Sequence, residues 1–133
     1  MRAVVCETLG TPDTLVLRND WPEPEPGPGQ VKVRLLARAV QYVDVLMVAG
    51  QYQTKPPVPF IPGGEAAGEV VALGEGVTGF SVGDMVMSRH SPSGAFAEFG
   101  VSPADQTMLI PQGLGVEAAA GFRSAYSTDY HAL

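Results

Sequence analysis

Glycine and proline interrupt this chain so often that its apolar segments stay short. Sixteen Gly and twelve Pro are spread through 133 residues, of which 17% are charged. Proline removes a backbone donor and fixes φ, while glycine makes positive-φ turns cheap. Such punctuation favours short strands joined by turns over a bundle of long helices. With 45% hydrophobic residues the length suits one folded domain with a real core. The expected fold class is mainly β with short helices, arranged as a partly open β-barrel.

The pattern along the chain gives this detail. Arg2 to Glu7 and Thr14 to Leu17 read as an opening hairpin around the Gly10–Pro12 break. Trp21 to Gly29 (WPEPEPGPG) cannot pair as a central strand and reads as a stiff extended connector; a proline-motif ligand is the less favoured alternative. From Gln30 to Val40, Val31, Val33, Leu35 and Ala37 alternate with Lys32, Arg34, Leu36 and Arg38, so one face is expected to meet core and the other mostly water. Tyr42 to Ala49 has helical spacing with Gly50 as its stop, and Gln51 to Gly64 is a proline-rich loop. Strands are expected at Glu69–Leu73, Asp84–Met87 and Ala95–Val101, and a helix from about Val116.

Charge and cysteine content exclude several functions. The formal net charge is −6, with no basic run, so a nucleic-acid backbone would be repelled. A lone cysteine, Cys6, forms no internal disulfide and fits a reducing compartment. The N-terminus lacks a signal-peptide pattern and no long apolar stretch follows, so the expectation is a soluble, cytoplasmic protein with neither membrane nor nucleic acid as partner.

Gly74, Gly76 and Gly79 match a G-x-G-x-x-G dinucleotide fingerprint after an expected strand, and Glu98 lies near the spacing of a ribose-binding acid. The fingerprint works only when a helix begins at the third glycine, because its N-terminal amides hold the pyrophosphate. Phe80 to Asp84 leaves no room for that helix, so these glycines read as a tight turn.

The ordered segments RAVV, PGPGQVKVRLLARAVQYVDVLMVAGQY, PFIPGGEAAGEVVALGEGVTGFSVGDMV, GAFAEFGV and YHAL cover nearly the whole chain. Together they resemble the N-terminal half of the zinc-free quinone oxidoreductase branch of the medium-chain dehydrogenase/reductase superfamily. The resemblance implies a GroES-like catalytic domain over 1–115. It makes 116–133 the helical start of a connection to a nucleotide-binding domain absent from this chain. It further implies NADP as cofactor of the full two-domain enzyme, a quinone or α,β-unsaturated carbonyl as acceptor, and a homodimer as the candidate full-length form.

Zinc-using relatives carry a cysteine near Gln41–Tyr42 and a histidine in a Gly-His-Glu triplet; here the triplet is Gly63-Gly64-Glu65. Gly64 offers no ligand and Cys6, His90 and His131 are scattered, so no metal site is expected. A proton or hydrogen-bond donor then has to polarise the acceptor carbonyl. The resemblance makes Tyr52 the candidate catalytic donor, its ring also packing on a flat substrate, against a plain amphipathic plug. It places Tyr42 beside the substrate and Gln41 beside the nicotinamide, with Thr128 there too, against a plain helix-surface hydroxyl.

This chain departs from the pattern at two of these places. Gln41 stands where the family commonly has Asn, and its extra methylene shifts the amide outward. Gly121-Phe122-Arg123 replaces a Leu-Pro pair, so the final helix is expected to enter differently. Asp44 reads as a turn cap with pocket organisation as the alternative, Glu65 as a structural hydrogen-bonding group rather than a general base, and both histidines as hydrogen-bonded or solvent-facing.

The expected function is therefore the substrate-facing half of an NADPH-dependent quinone or enone reductase that transfers hydride without zinc. Because no pyrophosphate site is evident, the alternative is a stand-alone or truncated non-catalytic module for small-ligand binding or interaction.

Overall fold

A computed structural model describes residues 1–90 and 94–133. It is mainly β with short helices. β1 (Ala3–Cys6) and β2 (Leu15–Arg18) form an antiparallel ribbon, which is the expected opening hairpin. β3 (Gln30–Arg38), β4 (Glu65–Leu73), β5 (Met85–Arg89), β6 (Phe99–Pro103) and β7 (Thr107–Leu109) form one sheet, in the order β6-β3-β4-β5-β7 with every pairing antiparallel. The helices are α1 (Tyr42–Val48), α2 (Val116–Ala120) and α3 (Phe122–Ala132).

Both faces of the central strands are covered. Val31, Val33 and Leu35 of β3 pack with Ala66, Val70 and Val86 on one face, while Ala67 and Met87 meet Ala119 and Ala120 of α2 on the other. That two-sided burial explains why β4 reads as a run of small apolar residues rather than an alternation. It also begins at Glu65 and not at Glu69 as the sequence reading had it. Gly68 looked like a break but is a point of close approach: a Cβ there would lie 1.9 Å from the Arg34 carbonyl oxygen, beside an irregularity in the β3–β4 register.

A second correction concerns the supposedly wet face of β3. Lys32 is only 6% exposed, and its ammonium meets Glu23 at 2.5 Å and Glu25 at 3.0 Å while lying over the Phe99 ring. The acidic residues between the prolines thus hold the connector against the sheet. β7 had no counterpart in the sequence reading, being too short to show alternation.

The turn reading of the glycine motif holds. Gly76 and Gly79 have φ of 78° and 84°, and the chain passes through a turn directly into β5 without an intervening helix. α1 is capped by Gln41, whose N–H donates to Asp44 Oδ2 at 2.8 Å, and is followed by Gly50 with φ of 69°. The following loop is pinned at its far end by paired Cys6 and Phe60 backbone hydrogen bonds. α2 begins at Val116 as expected; Gly121 then separates it from α3, which has no buried residues. Among the described residues no helix is long and apolar enough to cross a membrane.

Candidate active site

α1 and the loop after it, the start of β4, the end of β5 and α3 border two cavities. The smaller, of about 180 Å³, is lined by Gln41, Asp44, Tyr52, Gly64, Glu65 and His90 among others. The larger, of about 850 Å³, is lined by Met108, Phe122, Arg123, Tyr126 and Thr128. Glu65, Arg89 and Ser124 belong to both.

The two glycines ahead of Glu65 have different causes. Gly63 has φ of 100°, and a Cβ there would sit 2.6 Å from the Phe96 ring, so sterics require glycine. Gly64 has no such φ, and a Cβ would meet nothing within 4 Å. It contributes open space to the cavity wall and no side chain.

Glu65 is 4% exposed. Its Oε2 accepts the Gln41 Nε2–H at 3.0 Å, and Oε1 has no hydrogen-bond partner among the described residues. Burial pushes its carboxyl above the ordinary range; the Ser124 N–H, the Gln41 amide and the charges of Arg89 and Arg123 pull less strongly the other way. The Ser124 N–H acts from outside hydrogen-bond geometry with Oε1. Asp44, also 4% exposed, is likewise pushed up by burial, against the backbone N–H groups of Gln41 and Gly63.

His90 is 2% exposed and fully engaged. Its Nδ1 lies 3.2 Å from the Val101 carbonyl, which can only accept, so Nδ1 carries the hydrogen and Nε2 accepts from the Ser88 hydroxyl at 2.6 Å. Burial lowers its pKa from 6.5 to about 4, leaving it neutral at physiological pH. It is a hydrogen-bonded histidine, as expected. His131 lies exposed on α3 with its ring edge-on to Tyr130.

The residues expected from sequence divide into three placements. Gln41 and Tyr52 share the smaller cavity. Thr128 lies on the larger one, on the exposed α3. Tyr42 is 76% exposed and lines neither cavity. Sequence reasoning missed Arg89, at the end of β5, and the junction position of Glu65; an arginine closing the apolar strand MVMSR was the available signal. Among the described residues no group of three or more His, Cys, Asp or Glu side chains is placed to hold a metal. Nor does the turn at Gly74–Gly79 offer a nucleotide's phosphates a helix N-terminus.

The family model for the alcohol dehydrogenase GroES-like domain matches residues 27–112. The chain is 38% identical over 132 residues to a quinone oxidoreductase-like protein 2 homolog of Nematostella vectensis, covering 99% of this chain and 36% of that protein. It is 33% identical over 133 residues to human quinone oxidoreductase, covering 100% of this chain and 40% of that protein. Among solved structures, the human synaptic vesicle membrane protein VAT-1 homolog-like protein superposes with a TM-score of 0.95 at 34% identity, over 100% of this chain and 42% of that one. The Thermus thermophilus quinone oxidoreductase, also solved as its NADPH complex, superposes with a TM-score of 0.83 at 37% identity, over 100% of this chain and 40% of that one. The chain thus spans well under half the length of these relatives.

Proposed function

The chain belongs to the alcohol dehydrogenase GroES-like domain family, and from that premise we propose that it is the acceptor-facing half of an NADPH-dependent reductase of quinones or α,β-unsaturated carbonyls. The observation that carries this reading is the meeting of Tyr52, Gln41 and Glu65 in one cavity that shares Glu65, Arg89 and Ser124 with a larger, mostly apolar one. An apolar cavity with a few convergent polar groups suits a flat acceptor with a carbonyl oxygen. The names of the relatives, and the NADPH complex of the bacterial one, support the same class.

A bound reduced nicotinamide would supply the hydride. What this chain adds is orientation and a proton. Met108, Phe122 and Tyr126 offer an apolar wall to the acceptor ring, Tyr52 is the candidate donor to it, and Gln41 and Thr128 are the candidate contacts on the nicotinamide side. Tyr42, outside both cavities, is left as a rim contact at most. Zinc-free chemistry is supported by Gly64, which has no atom to ligate a metal at the position where zinc-using relatives carry histidine. A cytoplasmic location and a homodimer of the full-length form belong to the same reading. With no phosphate cradle among the described residues, the isolated chain is expected to bind NADPH poorly.

The test is Tyr52→Phe in a two-domain protein carrying this chain. Loss of the phenolic proton is expected to lower turnover about 100-fold on quinones and enones. Full rate on every such acceptor would remove Tyr52 from the role.

A further inference from the structure

Among the described residues, Glu65 Oε1 is the buried side-chain polar atom that lacks a hydrogen-bond partner. Native folds seldom leave such an atom unsatisfied without a use for it. Its place is equally particular, since Glu65 lines both cavities.

The bond to Gln41 decides which oxygen would carry a proton. Oε2 accepts the Gln41 N–H at 3.0 Å and so plays the carbonyl part of the carboxyl group. In the acid form the hydrogen falls on Oε1, where it becomes a donor with no acceptor among the described residues. In the ionised form Oε1 would be a buried anionic oxygen with no donor in hydrogen-bond geometry, the nearby Ser124 N–H falling outside it, the costlier arrangement. The charged and titratable groups around it are Asp44 from α1, Tyr52 from the following loop, Arg89 and His90 from the end of β5, and Arg123 from α3. The Ser124 N–H, the Gln41 amide and the two arginines favour the anion, but burial outweighs them.

We infer that Glu65 is the group that receives the acceptor's carbonyl oxygen: Oε1 is buried in this structure, and once the Ser124 turn of α3 beside the carboxyl gives way, the acid form donates the Oε1–H hydrogen bond that polarises a quinone or enone seated in the larger cavity. Glu65 thereby stands beside Tyr52 as a second donor, and Gln41 becomes a positioning residue that holds the carboxyl with Oε1 free. The inference rests on the carbonyl-acceptor reading above, but binding alone tests it.

The experiment is calorimetric titration of the 133-residue chain with 1,4-naphthoquinone, and with naphthalene as the same flat body lacking carbonyls, across a pH series. Naphthoquinone affinity is expected to fall about tenfold as pH rises through the Glu65 titration, with naphthalene unaffected. Glu65→Gln keeps an N–H donor and is expected to hold affinity within about twofold while abolishing the pH dependence; Glu65→Leu is expected to lose about tenfold. Infrared spectra give a second readout, a protonated-carboxyl band that shifts when naphthoquinone binds and is absent from Glu65→Gln. Naphthoquinone binding that is flat with pH and unmoved by either variant, or a missing carboxyl band, overturns the role of Glu65 alone. Naphthoquinone binding no tighter than naphthalene at any pH overturns both that role and the acceptor reading.

Discussion

Two buried polar regions lie side by side at the end of β5, and they are built on opposite rules. Around His90 every group is matched: Ser88 donates to Nε2, Nδ1 donates to Val101, Ser102 donates to the Arg89 carbonyl and Thr107 to the Pro103 carbonyl. Around Glu65 one oxygen is matched and the other is not. A completed network holds strands together and asks for nothing further. An incomplete one between two cavities is a socket, and the contrast separates what serves the fold from what serves a ligand.

Substitutions should expose that difference most clearly. His90→Leu strands the Ser88 hydroxyl and the Val101 carbonyl, and is expected to cost about 3 kcal/mol in chemical denaturation. Glu65→Gln is expected to change stability by less than about 1 kcal/mol in the same experiment, since it removes only a half-satisfied acid. Equal losses at the two positions would erase the distinction.

The pH dependences should run in opposite directions. The folded pKa of His90 lies below its unfolded value, so its contribution to stability is complete above pH 6.5 and is lost as pH falls toward 4. The loss is expected to approach about 3 kcal/mol, and His90→Leu should abolish it. Glu65 is an acid with a raised folded pKa, so stability is highest below its unfolded pKa and declines as pH rises through the folded one. Denaturation of Glu65→Gln across the same pH series should lack that decline.

A smaller effect separates the adjacent glycines. Gly63→Ala forces a Cβ into the Phe96 ring at a positive φ and is expected to cost about 2 kcal/mol. Gly64→Ala enters open space and should shift the thermal midpoint by no more than the equivalent of about 0.5 kcal/mol. If Gly64 proved the more sensitive position, the cavity wall would be tighter than its geometry indicates.

Alternation and turn residues made β1, β2, β3 and α1 readable in advance, because each depends mainly on its own neighbours in sequence. The start of β4 did not show, because the need for Gly68 comes from the Arg34 carbonyl on another strand. Lys32 looked solvated for a similar reason, its partners being two glutamates between prolines that composition alone assigns to water. At the site, the resemblance picked out Tyr52 and Gln41. The adjacent Tyr42 does not join them, since it sits exposed at the first position of α1. Glu65 was visible as a residue but not as a socket; that property exists only once Gln41 has taken one oxygen and left the other unpartnered on a residue that lines both cavities.

The most direct measurement is an amide NMR titration of the chain with 1,4-naphthoquinone. If the junction is the acceptor site, shifts should concentrate at Gln41, Gly64, Glu65, Arg89 and Ser124, leaving Ser102 and Thr107 in the completed network unmoved. Shifts confined to the groove formed by Arg2, Leu36 and Arg38, or no shifts at all, would contradict it.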